Sequence, residues 1–288
     1  MTNNHITSLI CTALKSNVLT VSPLSGGSIS PVFRAELDNG SSVFVKSSPQ
    51  YDNMFIKEAN GLRELMKGDS LRIPEILYVN EELLILEHMP ATSPTGRTKF
   101  FEKFGAQLAM LHRTASDQFG FDENNYIGAT PQKNLPRSSS WKEFYFVNRL
   151  EYQFRLAEQN GYAAKEISSL FHILEHSLDR LIPDDGESPA LLHGDLWSGN
   201  FLCIEENVPV IFDPAVYYGH READLAMTLL FGGFDESFYC SYTEVYPLNN
   251  EWKRRSEVYK LYHLLNHLNL FGEGYSSQVY HTLKLLLT

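Results

Sequence analysis

The sequence predicts an α+β protein of two lobes, a small antiparallel sheet crossed by one helix over residues 1–90 and a mostly helical lobe over residues 91–288. Short apolar runs separated by turn signals dominate the first lobe, which indicates strands. In the second lobe apolar residues recur at spacings of three and four, which indicates helices. Between the two, residues 91–96 read Ala-Thr-Ser-Pro-Thr-Gly, a composition typical of a linker.

The first lobe begins with a helix and changes to strands from Val18 onward. Asp38-Asn39-Gly40 predicts a tight hairpin, because Asn and Gly tolerate a positive φ. The predicted elements are helices over 5–15 and 55–65 and strands over 29–37, 42–46 and 83–87.

The second lobe is predicted to be helical on both sides of a short β region. Strands are expected within residues 191–214, with the turn at Glu205-Glu206-Asn207. The predicted helices cover residues 101–111, 141–158, 166–181, 222–230 and 251–271.

Composition narrows the class of protein. A net charge of −11 argues against nucleic acid as the main partner, because phosphate binding needs clustered Lys and Arg. The three cysteines form no CxxC pair, which predicts a reducing compartment without disulfides or structural zinc. The N-terminus lacks the order of a signal peptide, and no apolar run approaches the roughly 18 residues of a membrane helix. We therefore expect a cytoplasmic protein with no membrane partner.

The most informative stretch is residues 191–214, LLHGDLWSGNFLCIEENVPVIFDP. Asn200 follows Asp195 by five positions, and Asp213 follows Asn200 by thirteen. Phosphoryl transfer from ATP needs a carboxylate to accept the proton of the attacking hydroxyl and oxygen ligands for the metal ion on the phosphates, and kinases space these groups in this order. An Asp after an apolar strand is costly unless it has a partner. The spacing therefore predicts Asp195 as the base and Asn200 and Asp213 as metal ligands.

Two further segments fit a nucleotide site. Lys46 ends an apolar strand and Glu58 lies in the next helix, so the pair could hold the α and β phosphates, although an isolated surface pair is the ordinary alternative. Glu87-His88-Met89 closes the small lobe, where backbone groups could contact an adenine edge or simply end a strand.

The turn at Gly26, Gly27 and Ser28 lies between two predicted strands. Glycines there allow the backbone to approach phosphates, although an ordinary turn would have the same composition. The Gly-Lys-Ser/Thr ending of a Walker A loop is missing.

Aromatic and imidazole side chains accompany these groups. Trp197 either stacks on a substrate or anchors the loop by packing. His193 is expected to orient the loop through hydrogen bonds rather than to act as a base. His220 is a candidate substrate residue.

The segments HGDLWSGN, IFDP and YYGHREADLAM resemble the fructosamine-3-kinase (ketosamine-3-kinase) family, within the wider group of aminoglycoside and choline kinases. The similarity extends to LSGGSISPVFR, FGFDENNYIG and LYHLLNHLNLFGEGY, and so covers nearly the whole chain. The resemblance implies a bilobal protein-kinase-like fold that binds ATP and Mg²⁺ between its lobes. It implies phosphorylation of a sugar hydroxyl on a small-molecule or protein-bound ketoamine, a reaction of protein deglycation.

By the same resemblance, Asp195 matches the catalytic base, Asn200 and Asp213 the metal ligands, Lys46 the phosphate-binding lysine and Glu58 its partner. The remaining matches are the phosphate loop at Gly26, Gly27 and Ser28 and the adenine hinge at Glu87, His88 and Met89.

Two alternatives stay open. A kinase for another hydroxyl, such as an amino alcohol or an aminoglycoside, would share the broad motif but not the family-specific segments. A non-catalytic nucleotide-binding scaffold would be expected to have lost one of Lys46, Asp195, Asn200 and Asp213. Gly194 stands where protein kinases have Arg, which argues against control by activation-loop phosphorylation.

Overall fold

The computed structural model describes residues 3–24, 30–182 and 186–288. It confirms an α+β protein in which a five-stranded antiparallel sheet precedes a helical region. The elements of the first part are α1 (Asn3–Leu14), β1 (Val18–Pro23), β2 (Val32–Leu37), β3 (Ser42–Ser47), α2 (Met54–Met66), β4 (Ile76–Val79) and β5 (Leu83–Glu87).

The sheet has the strand order β1-β2-β3-β5-β4, with every pair antiparallel. The predicted hairpin joins β2 to β3, and Gly40 has a φ of +83° there. Strand β4 was not predicted, because it is a short edge strand whose residues are only half-buried or exposed. Helix α1 packs against the sheet in a small apolar core of its own, whereas α2 belongs to the main core with the helical region.

The helical region interleaves long helices with short strands. Its helices are α3 (Arg97–Leu111), α4 (Trp141–Tyr145), α5 (Tyr152–Gln159), α6 (Lys165–Glu175), α7 (Leu178–Leu181), α8 (Glu222–Leu230), α9 (Glu236–Val245), α10 (Trp252–Phe271) and α11 (Ser276–Leu287). Its strands are β6 (Asn125–Ile127), β7 (Thr130–Gln132), β8 (Ala190–Leu192), β9 (Phe201–Ile204), β10 (Val208–Ile211) and β11 (Tyr217–Gly219).

Several helices differ from the prediction. The helix expected over 141–158 is α4 and α5 joined by a π-helical segment, Phe146–Glu151. Helices α9 and α11 were not predicted. The α9 sequence, ESFYCSYTEV, is rich in residues of modest helix propensity, so packing stabilises this helix more than its own composition does.

Asp195, Asn200 and Asp213 form a polar motif that two small antiparallel sheets hold in place. Strands β9 and β10 form a hairpin, and β8 pairs with β11. The segment between β8 and β9 therefore lies beside the segment between β10 and β11, and Ala215 N donates to His193 O across them at 2.8 Å. Among the helices of the described ranges, none is both long and apolar enough to span a bilayer.

Candidate active site

A cavity of about 660 Å³ lies between the five-stranded sheet and the helical region. The structure brings most of the predicted site residues to its wall, and these are Lys46, Glu58, Glu87, His88, Met89, Asp195, Trp197, Asn200 and Asp213. Gly26, Gly27 and Ser28 lie outside the described residues. The one remaining predicted residue, His220, is not among the cavity-lining residues.

Asn200 connects the two aspartates of the motif. Its Nδ2 donates to Asp195 O at 2.8 Å and to Asp195 Oδ2 at 3.2 Å, and it lies 3.5 Å from Asp213 O. Because the amide nitrogen is engaged in this way, Oδ1 is the atom that can serve as an oxygen ligand.

Asp224 of α8 binds the backbone of the loop that carries Asp195. This buried carboxylate accepts from His193 N at 2.7 Å and from Gly194 N at 2.8 Å. Gly194 has a φ of +82°, and a Cβ at this position would lie 2.0 Å from Ala215 O. Only glycine fits this close backbone approach, so the Arg of protein kinases has no place here.

His193 is fixed by hydrogen bonds on both ring nitrogens. Nε2 donates to Phe212 O at 2.9 Å, and Nδ1 accepts from Asp195 N at 3.2 Å. Burial lowers the pKa of His193 despite the nearby charge of Asp224, which favours the neutral imidazole that this pattern requires. His193 therefore joins the loop to the strand end before Asp213.

Lys46 joins the sheet to the motif. Its Nζ lies 2.7 Å from Glu58 Oε1 on α2 and 2.7 Å from Asp213 Oδ1. Desolvation by burial would lower the pKa of Lys46, but the charges of Asp213 and Glu58 outweigh it and raise the pKa, so the side chain is a cation. The Asp213 side chain is 40% exposed against 10% for Lys46, so the aspartate presents the more accessible oxygen atoms to the cavity.

Asp195 is the one cavity carboxylate without a cationic partner among the ion pairs of the described residues. Desolvation and the charges of Asp213 and Asp224 raise its pKa to about 7, against the hydrogen bond from Asn200, which lowers it. A carboxylate with this pKa accepts a proton more readily than an ordinary aspartate.

The segment after β5 forms another wall of the cavity. The Glu87 carboxylate is bound by Arg72, at 2.6 Å from Nη2 to Oε1, and His88 Nδ1 lies 3.0 Å from Ser42 Oγ. Because these side chains are engaged within the protein, a ligand at this wall would meet the backbone of residues 87–89.

A cluster of aromatic side chains lies at the end of the cavity near Trp197. The Trp197 ring lies 6.2 Å from Phe231, which lies 4.8 Å from His267, and His267 lies 5.4 Å from Phe271. Sequence reasoning assigned no site role to the α10 residues, although the polar Asn266 and His267 inside the apolar run LYHLLNHLNLFG were a usable signal.

Residues of the β6–β7 hairpin also line the cavity without having been predicted, namely Asn125, Tyr126 and Gly128. His220 lies elsewhere. It is only 2% exposed, and its ring packs between those of Trp141 and Tyr259. The turn from β11 into α8 directs this side chain into the core.

The donor set fits a magnesium ion bound together with phosphates. Within the part of the chain that the structure describes, no cluster of three or more His, Cys, Asp or Glu could hold a metal. Asp213 and Asn200 instead supply a carboxylate and an amide oxygen. Mg²⁺ is usually bound by one or two carboxylates, with phosphates and waters completing its octahedron.

The family of the chain follows from its similarity to known proteins. The model of the fructosamine kinase family matches residues 2–288. A protein-ribulosamine 3-kinase from Arabidopsis thaliana is 38% identical over 286 residues, which cover 96% of this chain and 86% of that protein. A probable ketoamine kinase from Vibrio parahaemolyticus is 37% identical over 271 residues, which cover 92% of this chain and 91% of that protein.

Solved structures agree with this placement. The crystal structure of a candidate fructosamine-3-kinase from Thermobifida fusca superposes with a TM-score of 0.90 at 34% identity, covering 99% of both chains. The choline kinase LicA from Streptococcus pneumoniae superposes at 0.69 with 17% identity, which shows a shared fold, and covers 99% and 98% of the two chains. The protein is therefore a member of the fructosamine kinase family, whose members are ATP-dependent phosphotransferases with a protein-kinase-like fold.

Proposed function

We propose that this protein transfers the γ-phosphoryl group of ATP to a sugar hydroxyl of a ketoamine, with Mg²⁺ as cofactor. The observation that supports this most is the convergence of Lys46, Asp195, Asn200 and Asp213 on one cavity. A scaffold that only bound a nucleotide would have no need of a carboxylate with a raised pKa beside a lysine and a metal-ligand pair.

In this proposal Lys46 binds the α and β phosphates, and Glu58 holds the lysine in place. Asp213 and Asn200 would hold Mg²⁺, which would offset the negative charge of the phosphates. The turn at Gly26, Gly27 and Ser28 keeps its proposed role of contacting phosphates through backbone N–H groups, on sequence grounds. The backbone of residues 87–89 contacts the adenine.

Asp195 acts as the general base. As the acceptor hydroxyl oxygen bonds to the γ-phosphorus, the bond from that phosphorus to the ADP oxygen breaks and the hydroxyl proton passes to Asp195. The Asn200 hydrogen bond to Oδ2 orients this carboxylate. Because its pKa is near 7, Asp195 is matched to proton transfer at neutral pH.

The aromatic end of the cavity is the proposed acceptor site. Glu58 is already paired with Lys46 and Glu87 with Arg72, so neither is free to bind the amine of a ketoamine. Trp197 lines the cavity and is 36% exposed as a residue, and an aromatic face attracts a cationic amine. The Arabidopsis relative is a protein-ribulosamine 3-kinase, which supports a sugar-amine adduct as the acceptor. We propose that the reaction serves protein deglycation.

An ATP-consumption assay over a panel of acceptors tests the proposal. The panel contains fructosyl-, ribulosyl- and erythrulosyl-lysine, choline and an aminoglycoside, with Asp195→Asn as the inactive control. Turnover of the ketoamines alone is expected. Preferred turnover of choline or the aminoglycoside would show that the acceptor is not a ketoamine. Nucleotide binding without any turnover would favour a non-catalytic scaffold.

We also propose a cytoplasmic location, since all three cysteines, Cys11, Cys203 and Cys240, are free.

A further inference from the structure

Helix α2 is connected to the helical region by a second set of contacts, apart from the ion pairs that link Glu58 through Lys46 to Asp213. We propose that Glu123, in the loop before β6, is a positioning residue of the phosphotransfer site. It holds α2 so that Glu58 keeps Lys46 against Asp213. This inference rests on the proposed function, because it assigns Glu123 to the assembly of that same site.

The contacts of Glu123 lie on both sides of Glu58 along the helix. Lys57 Nζ lies 3.3 Å from Glu123 Oε2 and also donates to Asn124 O. Asn60 Nδ2 donates to Glu123 Oε1 at 2.8 Å. One carboxylate therefore binds two side chains of the helical turn that carries Glu58, which limits both the rotation and the translation of that turn.

The Glu123 loop is itself attached to the chain just after Asp213. Asn134 Nδ2 donates to Glu123 O at 2.9 Å and to Asn125 Oδ1 at 2.8 Å. Asn125 Nδ2 in turn donates to Val216 O at 2.8 Å. Asn125, Asn134 and the Val216 carbonyl are buried, so these bonds are costly to break. A continuous set of hydrogen bonds thus runs from α2 to a residue three positions beyond Asp213.

Packing places α2 against the same segment. A Cβ added at Gly61 would lie 3.3 Å from Val216 Cγ2 and 3.4 Å from Pro214 Cγ. One turn further along, Tyr218 OH donates to Glu64 Oε1 at 2.9 Å. The helix therefore faces residues 214–218 along its length, and Glu123 closes the end nearest the cavity.

The partial exposure of the Glu123 side chain indicates whether it affects global stability or only the local position of α2. Its side chain is 32% exposed and that of Lys57 23%, so the ion pair by itself adds little to global stability. Removal of Glu123 is therefore expected to loosen one helical turn without unfolding the protein. The consequence should appear in nucleotide binding and turnover through Glu58.

A double-mutant cycle between Glu123 and Glu58 tests the proposal. Glu123→Ala is expected to weaken Mg·ADP affinity, measured by calorimetry, and kcat/KM for ATP by about five- to tenfold, the effect of one or two charge-assisted hydrogen bonds. In a Glu58→Ala background the same change is expected to alter both by less than about twofold, because the residue through which Glu123 acts is gone. An equal factor in both backgrounds, or no effect in the parent protein, would overturn the inference.

A reciprocal exchange provides the rescue. Asn60→Asp alone places two carboxylates together, whereas Asn60→Asp with Glu123→Gln restores a hydrogen bond of opposite direction and should recover most of the affinity. Glu257→Ala is the matched control, because Glu257 lies 2.7 Å from Lys260 at 27% exposure and does not line the cavity. It should leave Mg·ADP affinity unchanged, and failure of the exchange to recover any affinity would also contradict the role of Glu123.

The Mg·ADP measurement needs no acceptor. If no ketoamine is phosphorylated but the effect of Glu123→Ala on Mg·ADP affinity still depends on Glu58, the proposed acceptor fails and the positioning role stands.

Discussion

Asp195 is held where its own charge is unfavourable. Burial and the nearby charges of Asp213 and Asp224 raise its pKa to about 7, and only the Asn200 hydrogen bond opposes them. An unfolded aspartate would ionise near 3.8. Since the folded pKa is the higher one, the stability that this group contributes is present below about pH 4 and is lost as the pH rises toward 7. The proposed role of Asp195 in proton transfer therefore comes with a loss of stability at neutral pH.

The first prediction is that Asp195→Asn abolishes turnover and stabilises the protein. Without Mg²⁺ and nucleotide, we expect a gain of about 1 kcal/mol at pH 8, or roughly 2–4 °C in Tm for a chain of this size. The gain should shrink toward pH 5, where the parent carboxyl is largely protonated. Thermal unfolding of both proteins at the two pH values measures this, and a Tm below that of the parent at pH 8 would contradict it.

The two ion pairs of Lys46, with Glu58 and Asp213, contribute to stability and, in the proposed function, also position Lys46 for catalysis. Lys46→Met should lower kcat/KM for ATP at least about 100-fold, since it removes a charge aimed at the phosphates. It should also cost about 3 kcal/mol of unfolding free energy, because Glu58 is left buried without its partner.

The double variant Lys46→Met with Glu58→Leu separates the two effects. Urea unfolding should show most of the lost stability restored, since no unpaired carboxylate stays buried, while activity stays low. Recovery of activity in this variant would show that Lys46 does not bind the nucleotide phosphates.

Helices α3 and α9 cross at a backbone contact. A Cβ added at Gly105 would lie 2.1 Å from the Phe238 carbonyl oxygen, so glycine is needed at this crossing. Gly105→Ala should therefore destabilise the protein by about 3 kcal/mol or more, despite the better helix propensity of alanine. Gly274→Ala is the control, because a Cβ there meets nothing within 4 Å. Chemical denaturation of the two variants measures the difference, and equal stabilities would show that the crossing can relax.

The same crossing shows why α9 was missed from the sequence. Apolar spacing and turn residues predicted α3, α8, α10 and the hairpin between β2 and β3, because those signals are local. Helix α9 depends on its packing against α3, which no short window of sequence displays.

The protein as a whole should be sensitive to acid. Burial lowers the pKa of His193 and His267 and lowers that of His263 to about 3. In the unfolded chain these imidazoles take up a proton near pH 6.5. Between that pH and the lower pKa of each folded histidine, the unfolded chain therefore binds more protons than the folded chain. The contribution of these histidines to the free energy of unfolding must then fall as the pH drops below about 6.5, opposite in sign to the contribution of Asp195.

His263→Gln tests this, because glutamine stays neutral at every pH. We expect the variant to lose less stability than the parent between pH 6 and pH 5, by roughly 1 kcal/mol per pH unit. The exposed His281→Gln is the control and should follow the parent. Denaturant unfolding at each pH gives the slopes, and identical slopes for His263→Gln and the parent would show that His263 is not the group being protonated.

The order and spacing of polar residues are local properties of a chain, and this made part of the site predictable. Lys46 after an apolar strand and the spacing of Asp195, Asn200 and Asp213 identified residues that do line one cavity. The α+β class, with a sheet before a helical region, and the family resemblance were likewise predictable from the sequence.

Proximity between distant segments is a different kind of property, because it depends on how complete elements pack. Three features join residues that are far apart in the chain. They are the burial of His220, the packing of Phe231 against both Trp197 and His267, and the contacts of Glu123 with α2. No local pattern encodes such distances, since each is set by the summed packing of helices and sheets around the core. The candidate polar residues of the site were therefore predictable from the sequence, whereas the aromatic end of the cavity and the contacts of Glu123 with α2 were decided only by the tertiary structure.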